Sequence, residues 1–399
     1  MKKTLLFGTV LAACIALGAI SATGADTVRF WYHFDDADNP MSDLVEAFET
    51  ENPDIKIEAE NIPWGSYYDT LYTAIAAGSG PDTAMVKMFA QPRLIEMGAL
   101  EPIDDRISNW SGKADIQDNL FNITKGPDGK SYYMPVQYVA LYLYYRADLF
   151  AADGLNPPTT CDDFRAAAKA LTKDGTYGFG FRGGKGGHDH WASLVLSTGA
   201  NFKPGGMTSD SAIAATQFVV DLFQKDKVFP PSAPNDGFKE IIGAFKAGKT
   251  AMTIHHIGSS SGMVEALGDK VSATIVPECG GGRWTAFGDE STAIFSAAKN
   301  KDAAWKWISF LSSAGNNAMF NKATGQLPVT KSDSSTWSLH EKRFVDATIN
   351  SLPFANLLPN VSETSDFVNT VWPTNMQRAL IGEISAAEMN GEIDKLYNK

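Results

Sequence analysis

The chain has 399 residues, of which 44% are hydrophobic and 20% charged, and its formal net charge is −12. An acidic chain with no basic tract is a poor partner for nucleic acid, and three cysteines are too few for a disulfide scaffold. Even without a leader, the length exceeds what one hydrophobic core usually serves, so two domains are expected.

The first element along the chain is a targeting segment. Lys2 and Lys3 precede an apolar run from Leu5 to Ile20, and Thr23-Gly24-Ala25 has the small-x-small form of a signal peptidase site. Residues 1–25 are read as a secretion signal cleaved near Ala25, which places the mature chain in the periplasm. A rival reading makes Leu11-Ala12-Ala13-Cys14 a lipoprotein box with Cys14 as lipidated N-terminus. Against it, Ile15, Ala16 and Leu17 continue the apolar run. No later stretch has the roughly 20 apolar residues that a membrane span needs. After cleavage Cys161 and Cys279 remain, and they are expected as two unpaired thiols.

Strand and helix then alternate. Val28 to Tyr32 is a β-prone run. Ser42 to Glu51 puts Leu44, Val45 and Phe48 on one helical face and stops at Asn52-Pro53. Ile55, Ile57 and Ala59 alternate with charged residues as in a half-buried strand. Ser66 to Ala77 is helical and ends at Gly78, and Thr83 to Val86 is a strand after the turn Gly80-Pro81-Asp82. A βαβαβ order predicts a parallel sheet, whose ligands sit beyond the carboxyl ends of the strands. A second α/β region begins after Met134-Pro135, where Tyr138, Tyr142, Tyr144 and Tyr145 read as one strand. Helices are expected at 162–171, 209–223 and 237–247, and strands at 251–255 and 272–276. Trp305, Ile308 and Leu311 mark a face in the helical last eighty residues.

Two catalytic patterns overlap in one stretch. Gly243 to Thr250 (GAFKAGKT) fits the phosphate-binding loop G-x-x-x-x-G-K-[ST]. That loop must leave a strand and enter a helix, but here Phe238, Ile241, Ile242 and Phe245 mark a helix before it and Thr250 to Ile254 a strand after it. Gly258 to Gly262 (GSSSG) fits the nucleophile elbow G-x-S-x-G with Ser260 as nucleophile, between a strand and a possible helix at 263–267. The only histidine after Ser260 is His340, expected on a polar, solvated helix face. His188-Asp189-His190 and His255-His256 lack metal-ligand spacing, so no metal is expected. Asp35-Asp36 and Asp289-Glu290 are carboxylate pairs that suit a glycosidase or a hydroxyl-binding site.

The stretches GSGPD at 78–82, GALEPI at 98–103, YYRADLF at 144–150, AFKAGKTAM at 244–252 and KNKDAAW at 299–305 recur here in one order. In them the chain resembles, over its whole mature length, the sugar-binding proteins of ABC importers, the extracellular solute-binding proteins of family 1, among which the maltose-binding protein is familiar. The resemblance implies an α/β, type II-like periplasmic-binding-protein fold, two lobes joined by crossing hinge segments with the ligand cleft between them. The N-lobe is expected at 26–136 and 273–322, the C-lobe at 137–272 and 323–399. It implies a carbohydrate ligand, delivery to the transmembrane subunits of an ABC permease, no cofactor, no nucleic acid and a monomer.

Carried onto this sequence, the resemblance brings Asp35, Asp36, Trp64, Lys87, Met88 and Phe89 to the cleft from one lobe. Tyr138 stands at the first crossing, and Trp191, His255 and His256 come from the other lobe. Gly281, Gly282 and Trp284 match a glycine pair plus aromatic, and Trp372 lies where maltose-type relatives carry a stacking ring. Many relatives follow the AMTI strand with Asn-Gly-Pro-Trp. Here His255-His256-Ile257-Gly258 replaces it, which removes a ring and favours a smaller sugar, a polyol or a more polar glycoside. The expected function is a non-catalytic receptor. A secreted hydrolase using Ser260 or a carboxylate pair is the alternative. So is a receptor for a non-sugar such as a glycerophosphodiester, for which only Lys87, Arg182, Lys185 and Arg283 are available as phosphate partners.

Overall fold

The computed structural model describes residues 25–34, 40–117, 120–337 and 339–399. The leader and Cys14 lie outside the described residues, as do Asp35 and Asp36. Among the described residues no helix is long and apolar enough to cross a membrane.

Strand β1 (Asp26–Tyr32) is flanked in parallel by β2 (Ile55–Asn61) and β3 (Thr83–Val86), as the alternation of elements predicts. Its two faces serve two layers because successive side chains in a strand point opposite ways. Val28, Phe30 and Tyr32 enter one core with the helices Met41–Glu51 and Lys301–Leu311; Trp31 faces the other with the helix Trp64–Ala76. Trp307 is the centre of the first core, edge-on to Phe30 at 5.4 Å and to Phe48 at 5.2 Å. Leu44 and Phe48 are fully buried there, each worth roughly 1.5–3 kcal/mol over an exposed position.

The aromatic run at 138–145 forms two strands rather than one. β4 (Tyr133–Ala140) belongs to the large sheet and β5 (Tyr142–Arg146) to a small one, with the break at Leu141. In the small sheet β5 is flanked antiparallel by β6 (Met252–His255) and β7 (Val271–Thr274). The chain returns to the large sheet in β8 (Thr285–Ile294), antiparallel to both β3 and β4. Two short strands, β9 (Leu327–Pro328) against β4 and β10 (Ala355–Asn356) against β8, complete it. The large-sheet order is β2-β1-β3-β8-β4-β9. The second lobe has its own core of Phe164, Phe179, Trp191, Val219, Trp372 and Ile393, built from the small sheet and the helices at 161–170, 188–195, 210–224, 372–381 and 386–397.

Two further expectations change and a third holds. Cys161 and Cys279 are not free thiols: they form a disulfide, with Cα atoms 5.2 Å apart. Backbone pairing brings them together, since the Cys161 N–H donates to Glu278 O and the Glu278 N–H to Thr159 O. A bond closing a loop of this length, 118 residues apart in sequence, stabilises by about 4–5 kcal/mol in the chain-entropy account. His340 is not on a solvated helix face: it is half-buried in an irregular segment and hydrogen-bonded at both ring nitrogens. The AFKAGKTAM stretch is, as expected, helix Phe238–Lys246, then a turn, then β6, the reverse of a phosphate loop. Gly248, at φ +70°, closes that helix by a left-handed turn, with the Lys249 N–H donating to Ala244 O.

Candidate functional site

A cleft of about 240 Å³ lies between the two lobes. On the large-sheet side it is lined by residues just past the carboxyl ends of parallel strands: His33 and Phe34 after β1, and Lys87, Met88 and Phe89 after β3. Trp64 joins them from the start of its helix. A bulge between Pro135 and Gln137 in β4, where a residue without an N–H interrupts the ladder, sets Gln137 opposite Glu290 of β8, and both face the cleft. The opposite wall is made of Arg182, His188, Asp189, His190, Phe238, His255 and His256, and Trp284 and the segment Asn356–Leu358 close one end.

The large-sheet wall is organised around a buried charge. The Glu290 carboxylate pairs with Lys87 Nζ and lies 3.3 Å from His33 Nε2. Burial alone pushes Glu290 up, but the charges of Lys87 and His33, with their hydrogen bonds, outweigh it and hold the carboxyl below its ordinary value. Lys87 Nζ also sits 5.4 Å from the Trp64 ring centroid, a cation–π arrangement. The ring of His33 packs against both Trp64 and Tyr67 at 4.7 Å.

The histidines of the other wall are neutral. Burial, reinforced by the Arg182 charge, lowers His190 to about 3, and burial with the charge of Lys87 does the same to His256. His190 Nε2–H donates to Ile254 O at 2.7 Å and its Nδ1 accepts from the Arg182 N–H, so both nitrogens are spent within the protein. His256 Nδ1 accepts from the Gly258 N–H and from Gln326 Nε2, which leaves the proton on Nε2. His255 is pushed well down by burial and bonds Ser259 Oγ through Nδ1. Several buried cleft atoms, among them His188 Nδ1 and Gln326 Oε1, make no hydrogen bond within the protein. No cluster of three metal-ligating side chains occurs among the described residues. The arrangement offers fixed neutral donors and acceptors and a carboxylate beside aromatic faces, which is the chemistry of hydroxyl-rich ligands.

Of the residues expected in the cleft, Trp64, Lys87, Met88, Phe89, His255, His256 and Trp284 line it together. Five others are placed elsewhere. Tyr138 stacks on Phe287 at 6.2 Å because strand alternation turns it away from the face that carries Gln137 and Val139. Trp191 is fully buried, its indole N–H donating to Thr216 Oγ1, and Trp372 is buried in the same core. Gly281 and Gly282 form the turn that precedes Trp284; a Cβ at Gly282 would fall 2.5 Å from Ser197 O. Asp35, Asp36 and the side chain of Asp289 lie outside the described residues. His33, Gln137, Gln326 and Asn356–Leu358 had no sequence signal beyond following a strand or standing near a crossing.

Of the four candidate phosphate partners, Lys87 and Arg182 reach the cleft. Lys185 pairs with Asp69 of the helix Trp64–Ala76 at 2.7 Å, and Arg283 donates to Val276 O and Thr159 O. Two further contacts join the lobes: Tyr72 OH with Ser365 Oγ at 2.6 Å, and Arg93 with Asp366. Ser260 Oγ lies 2.8 Å from His340 Nδ1, and His340 Nε2–H donates to Gly325 O. This pair has hydrolase geometry, yet Ser260 is 1% exposed and lies off the cleft wall, so no substrate carbonyl reaches it.

Residues 34–318 match the family model of the bacterial extracellular solute-binding proteins. The chain belongs to that family. Members of the family are receptors that hold a solute rather than convert it. This solute-binding protein is 28% identical over 356 residues to a Brucella abortus (strain 2308) protein described as a binding protein, covering 86% of this chain and 85% of that one. It is 23% identical over 395 residues to the maltooligosaccharide ABC transporter solute-binding lipoprotein of Streptococcus pneumoniae (strain ATCC BAA-255 / R6), covering 92% and 89%. Its fold matches an ABC transporter solute-binding protein of Thermotoga lettingae TMO bound with α-D-tagatose, with a TM-score of 0.84 and 24% identity over 94% of this chain and 100% of that one. The two-lobed architecture with an intervening cleft is therefore that of the family.

Proposed function

We propose that this chain is the receptor of an ABC importer, that it captures a small carbohydrate in the cleft outside the cytoplasm, and that it presents the closed form to permease subunits. The observation that carries the reading is the convergence of Trp64 and Trp284 with a buried carboxylate and proton-fixed histidines in one cleft. Pyranose and furanose rings offer C–H faces to the indoles and hydroxyls to the polar groups. A volume below the roughly 300–1,000 Å³ of common small-molecule sites favours a mono- or disaccharide or a polyol. Relatives named for a maltooligosaccharide and bound with tagatose support the ligand class.

The lobe division at 26–136 and 273–322 against 137–272 and 323–399 belongs to this proposal, as do the cleaved leader, a periplasmic location, a monomeric state and the absence of catalysis. A phosphodiester ligand is disfavoured because Lys87 is already committed to Glu290. The experiment is a thermal-shift screen of the mature chain against sugars, polyols and glycerophosphodiesters, since a bound ligand raises the melting point by mass action. A several-degree shift with one sugar class, recovered unchanged, supports the receptor. Conversion of any compound, or a shift with the phosphodiesters alone, defeats the reading.

A further inference from the structure

We propose that the Cys161–Cys279 disulfide is a positioning element of the ligand site: it anchors the turn that presents Trp284 to the cleft, so its oxidation state sets how tightly a sugar is held. This rests on the cleft being the sugar site.

The anchor side is rigid. Cys161 opens the helix Cys161–Ala170, whose N-terminus is fixed by a capping box between Thr160 and Asp163. The other side is the crossing from β7 to β8, in which Glu278 pairs with the backbone at Thr159 and Cys161 and a tight turn follows. The Cys279 N–H donates to Gly282 O and the Gly282 N–H to Cys279 O, with Gly280 and Gly281 at φ +61° and +89°. Two residues past that turn, the Trp284 N–H donates to Ser197 Oγ at 2.8 Å and the side chain lines the cleft. Arg283, between them, folds back to Val276 O at 2.8 Å and lies over the Phe354 ring at 5.5 Å, next to the Asn356–Leu358 wall.

The crossing is thus tied to the C-lobe by one covalent bond, a few hydrogen bonds and the burial of Val276 and Cys279 in its core, and the cleft ring stands between that anchor and the start of β8. Two-electron reduction by a dithiol breaks the S–S bond, leaves thiols at Cys161 and Cys279, and oxidises the reductant to its own disulfide. The turn then keeps its hydrogen bonds and apolar contacts but loses its covalent anchor, and the Trp284 ring is held less firmly.

The test uses the full mature chain labelled with 5-fluorotryptophan, with the Trp284 ¹⁹F resonance identified by its absence in Trp284→Phe. Dithiothreitol is expected to shift or broaden that resonance and leave that of Trp307, in the other lobe, in place. The Cys161→Ser/Cys279→Ser variant should show the reduced position and ignore reductant; wild-type chain reduced after folding gives the same comparison if that variant does not accumulate. Titration with D-tagatose, maltose and D-mannitol should give, for the sugar that binds, a dissociation constant raised roughly three- to tenfold by reduction, as expected for one lost aromatic contact. That difference should vanish in Trp284→Ala. A Trp284 resonance that stays put after confirmed reduction, or all resonances moving together, overturns the proposal. So does sugar binding of equal strength in both redox states, which leaves the cleft reading intact. Absence of any sugar response in the oxidised chain overturns the cleft reading and the affinity claim with it.

Discussion

Lys87 bridges the Glu290 carboxylate and the face of Trp64, its Nζ 5.4 Å from the ring centroid. Glu290 is 3% exposed at its side chain, so its charge persists only because Lys87 and His33 offset the cost of burial. Lys87→Met should therefore destabilise the fold by about 3 kcal/mol at neutral pH, because it leaves a buried charge without its main partner. Glu290→Gln keeps the shape, removes the charge and should cost less. In the wild type the depressed carboxyl contributes stability that is present above its unfolded value and lost as pH falls through the folded one. In Lys87→Met the carboxyl takes up a proton more readily, so the deficit should shrink toward pH 5. Urea unfolding of both variants at pH 7 and 5 checks this, and equal losses at both pH values would contradict it.

The neutral histidines make the fold sensitive to mild acid. His190 and His256 are lowered to about 3, so between pH 3 and the ordinary histidine value near 6.5 the unfolded chain binds more protons than the folded one. Stability should thus fall as pH drops below about 6.5, by up to roughly 1.4 kcal/mol per unit for each such group. His190→Gln, which titrates in neither state, should flatten the slope of melting temperature against pH from 6.5 to 4 even if it lowers the curve. A slope identical to the wild type would show that His190 titrates normally.

Contacts outside the cleft should set affinity. Tyr72 OH meets Ser365 Oγ at 2.6 Å, and neither residue lines the cleft. Tyr72–Ser365 and Lys185–Asp69 bridge the two sides of the cleft in this arrangement, so they favour it over any more open one with or without ligand. Tyr72→Phe should weaken sugar binding about three- to tenfold, the worth of one hydrogen bond. Calorimetric titration reads this directly. An unchanged constant would mean that the contact forms in the open state as well.

Much of the scaffold was legible because strand and helix periodicities are local. β1 to β3 and the helix that ends at Gly248 follow from alternation and punctuation within a dozen residues. Lys87, Met88 and Phe89 were legible for the same reason, since position after β3 is itself the signal, whereas after β1 the lining residues are His33 and Phe34, one step before the aspartates that the sequence singles out. Trp191, Trp372 and Tyr138, expected in the cleft, lie outside it, because an aromatic beside a loop looks the same in sequence whether it turns into a core or a cleft. The disulfide and the Ser260–His340 contact join residues 118 and 80 apart in sequence, and only the folded topology brings them together.

That last contact separates receptor from hydrolase. Ser260 Oγ donates to His340 Nδ1 and His340 Nε2–H donates to Gly325 O, so the histidine is held in the tautomer that a general base requires. Yet Ser260 is sealed at 1% exposure, and burial lowers His340. The pair ties the helix Ser260–Leu267 to the irregular segment around residue 340, which is a structural task. Ser260→Ala should cost about 1 kcal/mol, because the half-buried His340 Nδ1 loses its closer partner and keeps only Ser261 Oγ at 3.5 Å. Sugar affinity should be unchanged, and incubation of either protein with p-nitrophenyl esters or glycosides should release no more chromophore than buffer. Turnover by the wild type that Ser260→Ala abolishes would establish a hydrolase instead.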